Sequence, residues 1–298
     1  METHLRGATG RAGRVALGPP QLRALRYVAA RSRGGPLGAE ARVTVNFHPD
    51  RLVGEEQVLE RLAREGTYSS QFVTGVGNGG LTAHPGGDRW RWEARMFGGA
   101  YDEAPPEERP VYGALDHRSR RAGAAPRFGS AHLRLTRETL ARATFCYPDS
   151  VTEPSAFGVA SRMALVELAE AESRDLLDDY VEAQVHGGVR LDRDVDALVL
   201  DPSFRNTAVE AAAARLPCPV EWHPGFVLTA DELRRHPDYR GQEYVDLGVR
   251  IAREGGGGRL DPRVLGEAVR TGGHDPQAVK KVWHCLARFG CASTDVHP

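Results

Sequence analysis

The stretch Tyr180-Val181-Glu182-Ala183-Gln184-Val185-His186-Gly187 alternates apolar and polar side chains. A strand sends successive side chains to opposite faces, so Val181, Ala183 and Val185 share one face and Glu182, Gln184 and His186 the other. The apolar face packs inward. On a solvent-facing edge the polar row would be unremarkable. On a central strand it must line a polar cleft, because burying such groups unpaired costs about 2–7 kcal/mol each.

Upstream of this strand, Ala41-Arg42-Val43-Thr44-Val45-Asn46-Phe47-His48-Pro49 is rich in β-formers and predicts a strand over 42–47. An amphipathic helix follows in EEQVLERLAREG and stops at Gly66. YSSQFVT reads as a strand or strand end, and GVGNGGLTAHPGGD as a glycine-rich loop. DRWRWEARMFGG predicts a helix, and residues 102–126 a polar, Pro-rich loop with one short ordered piece at VYGAL. SAHLRLT predicts a strand, and RETLARATFCY a short helix running into another. A long helical pattern runs from Ser161 through MALVELAEAESRDLLD. The glycine pair 187–188 could mark a bulge. DVDALVLD reads as a short helix or a strand-like element, TAVEAAAARL as a helix and CPVEWHPGFVLT as a strand. From about Ala230 the chain is mostly helical. Short strands with mixed connections give an α+β class: a mixed β-sheet core with flanking helices. The expected divisions are a leader at 1–38 with one short helix, a core at 39–228, and a helical C-terminal section at 229–298 packed on that core.

Composition excludes several classes. Of 298 residues, 41% are hydrophobic and 27% charged, an ordinary globular balance. A net charge of −1 and a pI of about 6.8 give no strong nucleic-acid signal. No stretch approaches the roughly 20 apolar residues of a transmembrane helix. The basic N-terminus lacks the apolar run of a secretory signal, so a cytoplasmic setting is expected, with a specialised secretion route left open. Cys146, Cys218, Cys285 and Cys291 share no CxxC spacing and predict neither a disulfide framework nor a zinc site. The only lysines are Lys280 and Lys281, and no GxxxxGK[ST] phosphate loop exists.

Three segments carry candidate chemistry. In the first, Asn46-Phe47-His48-Pro49-Asp50-Arg51, His48 and Asp50 sit where a strand hands over to a turn. His48 is a natural donor to a ribose hydroxyl or a phosphate; as a plain turn residue it would need no ligand. In the second, Tyr68, Ser69, Ser70, Gln71 and Thr74 lie beside Gly75, Gly77, Asn78, Gly79 and Gly80. Glycines let backbone N–H groups approach a nucleotide phosphate, although no helix follows as a dinucleotide fingerprint requires. The third is the row Glu182, Gln184 and His186. Arg127 and Ser130 are candidate phosphate contacts. Glu221 and His223 repeat the acid–histidine pattern and rival Glu182 as the key acid, and Asp149-Ser150 could cap a turn. His84, Asp88 and Glu93 could join His48 and Asp50 around a metal, but no HxxxH or HExxH spacing supports this and no metal is expected.

These segments, with RFGSAHLRL, ATFCYPDS, VEWHPGF and KKVWHCLARFG, resemble a bacterial domain-of-unknown-function family, number three-six-two-six, from about Gln21 to Gly290. More distantly, the order His48, then Tyr68-Ser69-Ser70-Gln71, then Glu182 resembles that of ADP-ribosyltransferases. That resemblance implies a split sheet and NAD as substrate. Catalytic roles would fall to Glu182, His48, Ser70 and Gln184, and NAD binding to Tyr68, Gln71, Thr74, Asn78, Gly79, Arg127 and His186. His48 would hold the nicotinamide-side ribose, and Glu182 would stabilise the oxocarbenium-like centre as nicotinamide leaves. The arginine-modifying members end a Gln-x-Glu or Glu-x-Glu pair with the catalytic acid, whereas here the order is Glu182-x-Gln184. The resemblance thus leaves open the acting side chain and the macromolecular acceptor. Two other readings stand beside it. One is a hydrolase, metal-assisted in one form, using His48, Asp50, His84 and His186. The other is a non-catalytic protein binding a nucleotide or peptide in the polar cleft.

Overall fold

The computed structural model describes residues 15–75, 81–255 and 257–291. In chain order its main strands are β1 (Arg42–Phe47), β2 (Val111–Asp116), β3 (Ala131–Leu135) and β4 (Ala143–Tyr147). They continue with β5 (Ala156–Val159), β6 (Val181–Val185), β7 (Val195–Leu200) and β8 (Val220–Trp222). All eight join one sheet in the order β8-β7-β3-β1-β2-β6-β4-β5. Neighbours are antiparallel except β7 and β8, which are parallel. The helices that matter for the site are α1 (Pro19–Arg31), α2 (Val58–Glu65), α3 (Asp88–Phe97), α4 (Leu165–Ala171) and α5 (Ala208–Ala213). The C-terminal section adds α6 (Gln242–Gly255), α7 (Pro262–Arg270) and α8 (Pro276–Phe289). The protein is a mixed α+β fold, and no helix among the described residues is long and apolar enough to cross a membrane.

The two faces of the sheet differ. Val43, Val45 and Phe47 of β1 join Val181, Ala183 and Val185 of β6 in the largest apolar cluster. Helices α2 and α5 close that face with Leu59, Leu62, Val209 and Ala212. The opposite face is polar in its middle. Register places Thr44, Ala114, Glu182 and Cys146 in one row across β1, β2, β6 and β4, and Tyr112, Gln184 and Thr144 in the next. A second apolar cluster, with Trp92, Met96 and Phe97 of α3 and Val28 of α1, covers the β4–β5 end of this face. The C-terminal helices have their own cluster around Trp283, Leu286, Ile251 and Leu265.

Strand β6 lies between β2 and β4, so its polar row is a central-strand row. Glu182 is 5% exposed, and Gln184 and His186 are fully buried. Several expectations need correction. VYGAL is no isolated piece of a loop but most of β2, a central strand. Its Gly113 hides the alternation, and a Cβ there would lie 2.6 Å from the carbonyl oxygen of Thr44 on the neighbouring strand. YSSQFVT is a two-residue strand, Thr67–Tyr68, followed by a helical turn, Gln71–Thr74. The helix expected from Ser161 through Asp178 shrinks to α4. Beyond it Asp175 accepts hydrogen bonds from Leu177 N, Tyr239 Oη and Arg288 Nε, so tertiary partners override the helical pattern. DVDALVLD is the strand β7. The glycine pair is a turn, with φ of 78° at Gly187 and 69° at Gly188, a backbone region that favours glycine.

Candidate functional site

Strands β1 and β2 pair over three residues only, Arg42↔Asp116, Val43↔Leu115 and Thr44↔Ala114. Beyond Thr44 each strand stays paired on its outer side, β1 to β3 through Phe47↔Ala131 and β2 to β6 through Val111↔Val185. The sheet therefore parts in its middle, and a cavity of about 390 Å³ opens there. Asn46, Phe47 and His48 line one lip, and Tyr112, Gly113 and Ala114 the other. One wall is the loop 122–129, laid across β1 by two buried side chains. Asn46 Nδ2 donates to the carbonyl of Ala122 at 2.9 Å, and Thr44 Oγ1 accepts from Ala124 N at 2.9 Å. That loop brings Arg127 and Phe128 to the cavity. It can lie this close only because Gly129 has no side chain: a Cβ there would stand 2.0 Å from the carbonyl carbon of Phe47.

Glu182 lines the cavity and ends a chain of buried hydrogen bonds. The Tyr101 hydroxyl lies 2.6 Å from His186 Nδ1, and His186 Nε2 lies 3.1 Å from Thr144 Oγ1. Thr144 Oγ1 donates to Gln184 Oε1 at 3.0 Å, and Gln184 Nε2 donates to Glu182 Oε1 at 3.0 Å. A neutral His186 carrying its proton on Nε2 satisfies every member, with all donors directed toward Glu182. Burial does push His186 down to about 3, with the Arg142 charge adding to it, so the ring is neutral at pH 7. The other carboxylate oxygen accepts from Ser150 Oγ at 2.8 Å and from Ser150 N at 3.3 Å. Arg89, in the first turn of α3, donates to Ser150 Oγ at 2.6 Å and stands 3.8 Å from Glu182. Burial raises the Glu182 carboxyl above its usual range, while Arg89 and Ser150 oppose that rise.

The opposite wall is the face of α8 bearing Gln277, Lys280, Lys281 and His284, all lining the cavity. Their i, i+3, i+4, i+7 spacing is one helical stripe. The other side of the helix, with Val279, Val282 and Leu286, is buried in the C-terminal cluster. Trp283 anchors the helix: its Nε1 donates to the carbonyls of Pro126 and Arg127, both at 3.1 Å. Its ring meets His48 edge-on at 4.8 Å. His48 is held neutral, pushed to about 3 by burial and by the Arg51 and Lys280 charges. Around the cavity, the described residues supply six cations, Arg51, Arg61, Arg89, Arg127, Lys280 and Lys281, against the carboxylates Glu65, Asp149 and Glu182. The chain as a whole carries −1, so this excess is local.

Of the expected catalytic residues, His48 and Glu182 line the cavity, while Gln184 stands behind Glu182 as its donor. Ser70 does not line it; its hydroxyl donates to the carbonyl of Pro106 at 2.9 Å. Of the binding residues, Tyr68, Gln71, Thr74 and Arg127 line the cavity. Arg127 also forms an ion pair with Asp178. His186 is in the core, stacked with Tyr101. Asn78 and Gly79 lie outside the described residues.

The rival sets are dispersed. Asp50 is bound to Arg270 of α7 at 2.6 Å, and His84 is exposed on a loop. Glu93 is buried against Arg109 at 2.6 Å, whereas Asp88 pairs with Arg91 on the surface. No group of three or more potential metal ligands occurs among the described residues. Glu221 is exposed and paired to Arg134 on the sheet surface, and His223 bonds the carbonyl of Ser130 at 2.7 Å. Ser150 outgrew its expected capping role by holding Glu182. Arg89, Lys280, Lys281 and His284 were missed. The signal for the lysines was present, since an arginine-rich chain places its only two lysines side by side on one helix.

Fold and site together define an α+β protein with a cation-lined cavity where its central strands part. The chain belongs to the family described as "Protein of unknown function (DUF3626)", whose profile matches residues 42–169 and 159–288. No curated protein matches it.

Proposed function

We propose that the chain cleaves NAD at the nicotinamide–ribose bond, as a mono-ADP-ribosyltransferase or an NAD glycohydrolase. The observation that carries this reading is that His48, Tyr68 and Glu182, from three separate segments, line one cavity at the parting of β1 and β2. That parting is our counterpart for the split sheet of ADP-ribosyltransferases, within a sheet that is otherwise continuous. The cation excess suits a dinucleotide with an anionic diphosphate.

In the reaction the C1′–N bond breaks and its electron pair passes to the nicotinamide ring nitrogen. The ribose becomes oxocarbenium-like and is then attacked by a macromolecular acceptor or by water, which gives up a proton. Glu182, fixed by Ser150 and Gln184, is the negative charge that favours this centre. Neutral His48 and the Tyr68 hydroxyl, pushed up to about 12 by burial, are hydrogen-bonding groups for ribose. The test is nicotinamide release from NAD by the full chain. Glu182→Gln should lower turnover by about 10²-fold or more at an unchanged melting temperature. Equal release from wild type and variant, or none from wild type with any acceptor mixture, defeats the reading.

A second reading is a nucleotide-binding protein without turnover. It is favoured by the fact that both oxygens of Glu182 already accept hydrogen bonds within the protein. Saturable NAD binding with no nicotinamide release would select it.

A further inference from the structure

Lys280 and Lys281 are half-buried, and no hydrogen bond or ion pair ties either of them among the described residues. Holding two cations side by side with no ion-pair partner of their own, next to an Arg127 that Asp178 already pairs, is unfavourable unless an anion completes the site. Next to them, His284 is 1% exposed and lines the same cavity. Arg240 Nε donates to its Nδ1 at 3.2 Å. An arginine Nε–H is always a donor, so Nδ1 is the acceptor and the ring proton sits on Nε2. His284 Nε2 is buried with no partner among the described residues. A buried N–H left open costs about 1–3 kcal/mol, and a ligand acceptor would satisfy it. Burial and the surrounding Arg127, Arg240 and lysine charges push His284 down to about 2, so it stays a neutral donor.

We propose that Lys280, Lys281 and His284, faced by Arg127, form a phosphate subsite that takes the diphosphate of the ligand in this cavity. The subsite deepens the NAD reading and rests on it for the choice of a diphosphate. It assigns α8 to ligand binding as well as to covering the sheet. It also sets the ligand's direction, with its diphosphate against α8 and its reacting ribose toward Glu182 on β6.

The test is calorimetric titration of the full chain with inorganic pyrophosphate, ADP and NAD at low salt. The proteins compared are wild type, K280M/K281M and the charge-matched control R91M/R95M. Arg91 and Arg95 are exposed on α3 and pair with Asp88 and Glu153, away from the cavity. Pyrophosphate and ADP should bind wild type and the control alike and bind K280M/K281M roughly ten- to a hundredfold more weakly. Melting curves establish that each variant is folded. Absence of pyrophosphate binding to wild type, or equal binding by K280M/K281M, overturns the subsite. Nicotinamide release separates the two ideas. Lysine-dependent pyrophosphate binding without release keeps the subsite and removes NAD cleavage. Release with an unaltered KM in the lysine variant does the reverse.

Discussion

On the strand side of the cavity the polar groups leading to Glu182 answer one another, and among them Arg89 Nε alone has no partner among the described residues. Tyr101, His186, Thr144 and Gln184 pass hydrogen bonds to Glu182, and Ser150 and Arg89 meet it from the far side. On the helix side, among the described residues, no acid pairs with Lys280 or Lys281, and the Nε2 of His284 has no acceptor. The lysines are half-buried and the strand-side chain buried, but His284 is as deeply buried as that chain, so exposure alone does not explain the contrast. Apart from Arg89 Nε, the strand wall is complete without a ligand, and its polar groups hold the fold and fix one carboxylate. The helix wall is complete only with an anion. A satisfied buried network adds rigidity, while unsatisfied cations are a standing cost that ligand binding removes.

The sharpest way to break the contrast is to cut the strand wall. His186→Leu removes the middle of the chain and leaves the Tyr101 hydroxyl and Thr144 without their partner in a dry environment. Loss of about 2–4 kcal/mol of stability is expected, read from denaturant unfolding. A loss under about 0.5 kcal/mol would show that the chain is not holding the core, and the distinction between the walls would fall with it.

A smaller effect follows from protonation of the same ring. His186 is lowered from 6.5 to about 3 by burial. The folded state resists a proton that the unfolded chain accepts, so the stability this group supports is present above pH 6.5 and is lost as pH falls toward 3. The slope tends to about 1.4 kcal/mol per pH unit. Glu182 works in the other direction: its raised carboxyl favours the fold in acid and loses that contribution as pH rises through the folded value. Taking wild type minus His186→Leu cancels the acid groups common to both. The difference should shrink steadily from pH 6.5 to 4.5, and a pH-independent difference would contradict a neutral buried ring.

Alternation alone made the strand wall legible. Val181, Ala183 and Val185 on one face dictate where Glu182, Gln184 and His186 point, and centrality of the strand then forces them to find partners. Pattern could not say which of the three reaches the cavity. Glu182 does so because β1 and β2 part beside it, whereas His186 lies past the strand end under Tyr101 and Phe97. The resemblance to ADP-ribosyltransferases gives Ser70 a catalytic role, yet its hydroxyl is bound to a carbonyl 36 residues away in sequence. The helix wall was hidden for another reason. Gln277, Lys280, Lys281 and His284 make an ordinary polar stripe, the pattern of a solvent-facing side. Burial of Val279, Val282 and Leu286 and the docking of Trp283 on the 126–127 carbonyls turn that stripe toward the cavity.

The smallest expected effect is the most diagnostic of the helix wall. If Lys280 is kept for a ligand, replacing it should not weaken the empty protein. Its ammonium is disfavoured by burial and by the Arg127, Lys281 and Arg51 charges. Lys280→Met keeps the apolar stem and removes the charge, so the ligand-free protein should be unchanged or gain up to about 1 kcal/mol at pH 7. The gain should fade as pH rises through the lowered amine value, where wild type sheds the same charge. Added pyrophosphate should reverse the order by stabilising wild type more than the variant, through simple mass action on the folded state. A loss of stability in the ligand-free variant would mean that Lys280 already has its counter-charge within the fold, and the two walls would then follow the same rule.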